Sequence, residues 1–579
     1  MSVSAPEMIK TAMQVHQSGD WQRAKSLYNQ VLKHWPDHPD ALHLYGLACH
    51  QLGDHSTAVS YILKAVQQVP EQPVLRNNLA DAMHKAGQLD EAVLQLQKAL
   101  QLSPDYTGAH QNLGSVYLTT RQYDLALLHC RRAVVLDDQR PEAWHNLGLC
   151  FLEHVRLDES ANAFRHALAL RPDYQAAVTS LLYLLNLLPD QNPEAIAKEH
   201  LQVAGKAFGC ADVGAVAKLT HKPIRVGYVS GDFRQHAVNN FFEPVLEHHN
   251  KGHFEIYCYS DVRQPDATTQ RLQKLATHWR DMSGHSHEEL LKQVHTDGID
   301  ILVDLAGHTR HNRMPVFARQ AAKVQLSWLG FPNTSGLQAM NYRIVDSTTE
   351  PANLPAYGSE HLIRMPAGFA CFRAPENSGE VSSAPLSRNG FVTLGSLHKL
   401  EKLNPSIIAL WSQLLNENPD TRLLIARDNL DAWQQRRLLT EFEKNGTPAE
   451  RLQLRHLKDP EQNFWKLFAE IDLFLDVFPW SGHTMACCAL WMGVPVVSMY
   501  GKAHAGRMVS SVLDLLKLNE LIATDRKSYS RIVSQLCSDP QQLADYRRGL
   551  RSRFENSPLR DEAGFTRELE RQYLNILNI

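Results

Sequence analysis

Long apolar runs are missing from this chain of 579 residues. No window approaches the roughly 18 consecutive apolar residues of a membrane span, so none is expected. The opening stretch, MSVSAPEMIKTAMQVHQSGDW, has neither a basic n-region nor an apolar h-region, which predicts no signal peptide. Cysteine is sparse: nine residues, without regular spacing and without a CxxC pair. That usage excludes a disulfide scaffold and predicts reduced thiols in a cytoplasmic protein. Neither sign of charge dominates, with 59 Lys and Arg against 62 Asp and Glu and a net charge of −3. No strongly basic domain stands out, so a nucleic-acid partner is not expected. Zinc signatures and paired-aspartate motifs are also absent, which predicts chemistry without a metal or a resident cofactor.

What remains is an ordinary soluble composition, 44% hydrophobic and 21% charged. The length suffices for two to four domains. Self-similarity fills the first third. Gly46, Ala80, Gly114 and Gly148 recur every 34 residues, as do Ala58, Ala92, Ala126 and Ser160, and Ala65, Ala99, Ala133 and Ala167. A weaker copy precedes them, with Ala12, Ala24, Tyr28 and Pro36 in register. This is the tetratricopeptide pattern of paired antiparallel helices, whose small residues let the backbones approach. About five such repeats are expected over 1–176, stacked into an all-α superhelix with a concave groove. Asn78, Asn112 and Asn146 share the 34-residue spacing, so they fall on one face. A ladder of carboxamides can hold an extended peptide by its backbone, and protein acceptors are therefore expected in the groove. The alternative is that each Asn caps or bridges within its own repeat. From Ala177 the register breaks, and 177–221 reads as a helical cap and linker.

Beyond Lys222 strands alternate with helices, the pattern of parallel α/β sheets. IRVGYVSG, FEIYCYS, GIDILVDLAG and AKVQLSWLG read as strands of a first Rossmann-like lobe, 222–380. FVTLGSL, TRLLIAR, RLQLRHL, IDLFLDVF and VPVVSMY read as strands of a second, 381–555. An amphipathic helix closes the chain at 556–579. Such sheets bind ligands beyond the carboxyl ends of their strands, so the strand-to-helix loops are the candidates.

Four loops carry suitable residues. DVFPWSGHTMACCALW places Gly482, His483 and Thr484 at a helix start, where free N–H groups and the helix dipole make an anion site. The amides of Ser481 through Thr484 are expected to be free. SLHKLEKLNP sets Lys399 and Lys402 before a helix capped by Asn404 and begun by Pro405; Lys402 suits neutralisation of a diphosphate. VSGDFRQH brings His236 off a first-lobe strand, with a side chain suited to proton transfer. DLAGHTRHNR places Gly307, His308 and Thr309 after another strand, and WLGFPNTSG adds a restricted wall. His285 and His287 have HxH spacing, but Ser286 with Glu289 fits a capping box better.

Repeats joined to YVSGDFRQH, GHTRHNR, WLGFPNTSG, SLHKLEKLNP and SGHTMACCALWMGVPVV resemble the O-GlcNAc transferase family, which includes plant O-fucosyltransferases of the Spindly type. The resemblance implies a GT-B fold of two Rossmann-like lobes. It implies metal-independent, inverting transfer of a sugar, GlcNAc from UDP-GlcNAc in the leading reading, to Ser or Thr hydroxyls of intracellular proteins. By motif, His236 matches the active-site histidine, and Lys402 the lysine that stabilises the diphosphate. His483 and Thr484 match the helix-start residues that hold it, while Leu329, Gly330 and Pro332 match the wall along the sugar. Departures accompany the match. Cys488 stands where relatives carry Asp or Glu for sugar hydroxyls, and Met485 where a second Thr is usual. Glu461 and Phe464 occupy the places of a lysine and a histidine, though Phe464 still offers a ring to a base. Two alternatives therefore stay open: another donor such as GDP-fucose, or a repeat scaffold with little transferase activity.

Overall fold

In the computed structural model the described residues are 4–209, 222–458 and 460–578. Residues 210–221 of the expected linker and the side chain of Glu461 lie outside them. The chain forms two compact units, Met1–Ala177 and Val178–Ile579.

The first unit consists of helix pairs: Ala5–Gln17 with Trp21–His34, Pro39–Gln51 with His55–Gln68, Pro73–Lys85 with Leu89–Leu102, Thr107–Thr119 with Tyr123–Leu136, and Pro141–Glu153 with Leu157–Leu170. The recurring small residues are where paired helices touch. A Cβ added to Gly46 would lie 2.5 Å from Ile62 Cγ1, one on Gly148 would lie 2.5 Å from Phe164 Cε1, and one on Gly114 would overlap Cys130 Sγ. Gly148→Ala is therefore expected to destabilise the unit by about 1–3 kcal/mol, the usual range for overpacking. A lowered midpoint in chemical denaturation would register it; an unchanged midpoint would mean that the helices separate freely. The turn inside each pair needs a left-handed residue. Gly19, Gly53 and Gly87 supply it with φ of 83–85°, whereas the later repeats force Arg121 (φ 59°) and Val155 (φ 55°) into the same role.

The second unit holds two parallel sheets. The first contains β1 (Ile224–Ser230), β2 (Phe254–Ser260), β3 (His278–Asp281), β4 (Ile301–Asp304), β5 (Val324–Ser327), β6 (Tyr342–Asp346) and β7 (His361–Met365), in the order β3-β2-β1-β4-β5-β6-β7. The second contains β8 (Val392–Ser396), β9 (Thr421–Arg427), β10 (Leu452–His456), β11 (Leu473–Leu475), β12 (Val496–Met499) and β13 (Ile522–Ala523), in the order β10-β9-β8-β11-β12-β13. Strand order reverses between β1 and β4 in one sheet and between β8 and β11 in the other. Open sheets form their ligand crevice at such switch points. The four candidate loops are the ones that leave these four strands.

The last helix, Glu562–Ile576, returns to the first sheet. Tyr573 Oη lies 3.1 Å from Tyr228 Oη, Glu570 Oε1 lies 2.9 Å from His249 Nδ1, and Phe565 stacks on Trp328 at 5.9 Å. The first lobe's core is thus completed by the far end of the chain. Farther along the seam, Asp346 at the end of β6 accepts the Phe369 N–H at 3.1 Å and the Ser511 hydroxyl at 2.6 Å, and Arg507 donates to the Thr349 carbonyl at 3.2 Å.

Candidate active site

The loop after β11 is fastened from below by Asp476, which is 1% exposed. Its Oδ1 accepts the Gly482 N–H at 2.8 Å, its Oδ2 accepts the Ser498 hydroxyl at 2.5 Å, and its carbonyl accepts the Tyr529 hydroxyl at 3.0 Å. Ser481 N donates to the Ala505 carbonyl at 3.0 Å. This corrects the expectation of free amides at Ser481 and Gly482: both are consumed in holding the turn. Gly482 serves by size instead, because a Cβ there would collide with His398 Nε2. The helix His483–Trp491 then begins. Among the described residues the N–H groups of His483, Thr484 and Met485 have no hydrogen-bond partner, nor have the His483 ring and the Thr484 hydroxyl. The vacant donors lie one residue further along than the sequence suggested.

His483 is held between rings contributed from outside its own sheet. Phe241 of the first lobe stacks on it at 4.9 Å and Phe369 packs at 4.7 Å. Burial pushes the imidazole down to about 4, so it is neutral and offers one N–H and one lone pair. The helix carrying Phe241, Asn239–His248, starts three residues after His236. That stacking joins the His236 loop to the helix start.

Lys402 leaves the end of β8 on the short turn Leu400–Lys402. Asn404 caps the following helix, accepting the Ile407 N–H at 3.1 Å, and ties it to the β11 loop by donating to the Phe478 carbonyl at 3.0 Å. Lys402 Nζ consequently reaches the Ser481 carbonyl at 3.2 Å and sits 4.4 Å from the centre of the Trp480 ring. Burial first, then the neighbouring charge of Lys399, lowers its ammonium to about 7. The ammonium thus bonds to the loop two residues before the free helix start.

In the first lobe His236 is half-exposed, its Nδ1 accepting the Val238 N–H at 3.3 Å and lying 3.8 Å from Asp232. Burial lowers its pKa; Asp232 opposes the shift, while Arg234 and Lys399 reinforce it. With Nδ1 as acceptor, the ring proton resides on Nε2. Asn239 Nδ2 shapes this loop through the carbonyls of Asp232, at 2.8 Å, and Arg234.

His308 does not line the cleft, contrary to expectation. It is 0% exposed, its Nε2 lies 2.6 Å from the Ser335 carbonyl, and burial pushes it down to about 4. Gly307 at φ 56° turns the loop inward against Phe331, where side chains of a cleft would not fit. Thr309 spends its hydroxyl on the Ala306 carbonyl at 2.9 Å. Leu329 and Gly330 are half-buried but Pro332 is enclosed, so the wall presents only its first two residues. Leu329 holds φ 67°, a strained position for a leucine, and Gly330 sits where any Cβ would strike the Leu305 carbonyl.

Phe464 lines a hollow at the carboxyl ends of β9 and β10 with Ala426, Arg427, Asp428 and Leu457. Cys488 is 1% exposed within apolar surroundings, and burial pushes its thiol well up. The Ser286 capping box forms as read, with Ser286 N donating to Glu289 Oε2 at 2.7 Å. In the repeat unit Asn78 Nδ2 lies 2.9 Å from His43 Nε2, and Asn112 Nδ2 donates to Asn77 Oδ1 at 3.0 Å. These carboxamides bond to the preceding repeat, and among the described residues each keeps a second N–H without a partner; Asn146 bonds to His145. Sequence reasoning overlooked Asp476, Trp480 and Tyr183, whose importance arises from contacts between distant segments.

Comparison with known proteins follows the same outline. The model of the family described as Glycosyl transferase family 41 matches residues 199–372 and 388–569, and tetratricopeptide-repeat models match 17–73, 112–175 and 80–120. The chain is similar to "Probable UDP-N-acetylglucosamine--peptide N-acetylglucosaminyltransferase SPINDLY" of Solanum lycopersicum, 35% identical over 363 residues, which cover 62% of this chain and 39% of that protein. The protein of the same name from Oryza sativa subsp. japonica is 33% identical over 426 residues, 72% of this chain and 46% of its own. The chain thus spans less than half the length of these curated relatives. A solved O-GlcNAc transferase mutant from Thermobaculum terrenum superimposes with a TM-score of 0.78 at 32% identity, over 87% of this chain and 97% of that one.

Proposed function

Because the chain belongs to glycosyl transferase family 41, we propose that it transfers a sugar from a nucleoside diphosphate sugar to Ser or Thr hydroxyls of intracellular proteins. UDP-GlcNAc is the proposed donor, and the repeats are proposed to recruit the acceptor through Asn78, Asn112 and Asn146. The observation that carries this reading is Lys402 set against the Ser481 carbonyl beside three unpaired amides.

In the reaction the acceptor oxygen attacks the anomeric carbon from the face opposite the diphosphate, inverting that centre. The bond between that carbon and the phosphate oxygen breaks, and its electron pair stays on the oxygen. Negative charge develops there, and preorganised donors stabilise it more than they stabilise the intact donor. Lys402, the amides of His483 through Met485 and the Thr484 hydroxyl fill that role without a metal ion. The hydroxyl proton goes to His236 or to a phosphate oxygen of the donor. The Val238 contact supports the second route, since it leaves Nε2 of His236 protonated to orient the acceptor. Phe464 would stack on the base, and Leu329 with Gly330 would flank the sugar.

A second donor reading has one observation in its favour. Cys488 is an enclosed thiol, a poor partner for sugar hydroxyls. A GDP-linked donor such as GDP-fucose is therefore the runner-up. Thermal-shift measurements with UDP, GDP and their sugars, followed by mass spectrometry of acceptor proteins, separate the two. Stabilisation by UDP with a HexNAc increment on protein supports the first reading; response to GDP alone supports the second. No response to either nucleotide removes both.

Protonation supplies another expected result. A charged Lys402 receives the diphosphate, but above about pH 7 the free protein holds it neutral. UDP affinity is accordingly greatest below that pH and declines above it, and binding at about pH 8 takes up close to one proton. Calorimetry in buffers of different ionisation heat measures the uptake. Zero uptake would remove Lys402 from the anion's surroundings.

A further inference from the structure

The loops that leave β2, β1 and β4, neighbouring strands of the first sheet, are fastened into one rim. Asp266, in the loop after β2, accepts the Gln235 N–H of the β1 loop at 2.6 Å. Arg313, in the loop after β4, clasps Asp261 at the end of β2 through bonds of 2.9 and 3.1 Å. Gly231 lies so close to the β4 loop that a Cβ there would sit 3.6 Å from His311 Cβ. His311 itself holds φ 62°, a strained conformation for a histidine, and such strain collects at binding sites. His236 belongs to the same rim.

The acids of this rim are engaged, and two of its bases are not. Asp261 is taken by Arg313, and Asp266 also accepts the Thr269 N–H at 2.9 Å as a helix cap. Asp232 stands 3.9 Å from Arg234 and 3.8 Å from His236. Arg263 of the β2 loop and Arg310 of the β4 loop are exposed, and among the described residues neither has a hydrogen bond or an ion pair. Burial first, then the charges of Arg310 and Arg263, holds His311 below the usual histidine range. An unpaired guanidinium on a fastened loop is preorganised for a carboxylate, which it meets with two parallel N–H bonds. The chain as a whole carries a net charge of −3, so these cations are a local feature and not part of a general polyanion surface.

We propose that this rim selects acceptor segments with Asp or Glu close to the reacting Ser or Thr, and that Arg263 and Arg310 receive those carboxylates. This rests on the reading of the cleft as a glycosyl-transfer site with His236 at the acceptor. Neighbouring strands lie about 4.8 Å apart, and an extended chain rises about 3.4 Å per residue. A polypeptide whose hydroxyl reaches His236 therefore crosses the adjoining loops within about four residues of that hydroxyl. The two arginines act on which acceptor is taken, not on the bond that breaks.

The test uses a pair of synthetic serine peptides, identical except for Glu or Gln at every position within about four residues of the serine. Transfer kinetics give kcat/KM for each, and fluorescence anisotropy of the labelled peptides on the nucleotide-loaded chain gives Kd. The proteins are wild type, the double variant Arg263→Gln/Arg310→Gln and the charge-preserving Arg263→Lys/Arg310→Lys, with melting curves as the control for folding. Wild type is expected to favour the Glu peptide about fivefold, through KM and Kd and not kcat, as two exposed ion pairs allow. That ratio should fall close to one in the Gln variant, return in large part in the Lys variant, and shrink as salt is raised. UDP affinity and turnover of the Gln peptide should be the same in all three. A wild-type preference below about 1.5-fold, or one that survives in the Gln variant, would overturn the proposal and leave the functional reading standing. A wild-type chain that binds neither UDP nor GDP would remove both.

Discussion

Replacing Lys402 by methionine is expected to lower kcat on the order of 10²-fold or more, with the fold intact, because an electrostatic contact to the leaving group is made most strongly in the transition state. The side chain has little else to do. Its Nζ makes one hydrogen bond, to the Ser481 carbonyl, and rests over Trp480. Methionine keeps the aliphatic stem against that ring and removes the charge together with the one hydrogen bond to Ser481. Burial already lowers the lysine toward neutrality, so the protein gains nothing from a cation there until an anion arrives. The loss should therefore fall on turnover and donor affinity, and the melting temperature without ligand should stay level or rise. An unchanged kcat would take Lys402 out of the chemistry.

The second large effect is expected at Asp476. Asp476→Ala strands the Gly482 N–H and the Ser498 hydroxyl in a buried setting, and each unpaired group costs about 1–3 kcal/mol. A total loss of about 2–6 kcal/mol should appear as a clearly lowered denaturation midpoint. The same carboxylate pins the turn that aims the helix at its ligand, so the donor should bind far more weakly to whatever fraction remains folded. Asp476→Asn keeps the shape and one carbonyl acceptor and should fall between the two. Equal midpoints for wild type and Asp476→Ala would show that the turn is held by its backbone alone.

These two residues illustrate unequal legibility. Lys402 stood out because local signals surround it: a strand, a capping Asn404 and an opening Pro405. Asp476 looked like an ordinary strand-end aspartate; its meaning lies in partners that include Ser498, 22 residues away. Tyr183 is more remote still, 218 residues from Glu401, and no local pattern encodes such a pairing. His308 failed in the opposite sense. Its loop position suggested a cleft residue, but the left-handed Gly307 folds it into the interior.

The fold shows the same division. Repeats were readable because close helix contact demands a small residue at fixed intervals. Central strands such as Phe254–Ser260 and Thr421–Arg427 were readable because burial on both faces makes them apolar. Four strands were missed: His278–Asp281, Tyr342–Asp346, His361–Met365 and Ile522–Ala523. They are short or carry arginines, aspartates and histidines, and pairing with an existing sheet creates them more than their own propensity does.

A crystal structure of the chain with UDP bound tests the central claim most directly. It should place the β-phosphate within hydrogen-bonding distance of Lys402 Nζ and of the amides that begin the helix at His483, with the base against Phe464. A nucleotide found elsewhere, or a phosphate turned away from that helix start, would contradict it.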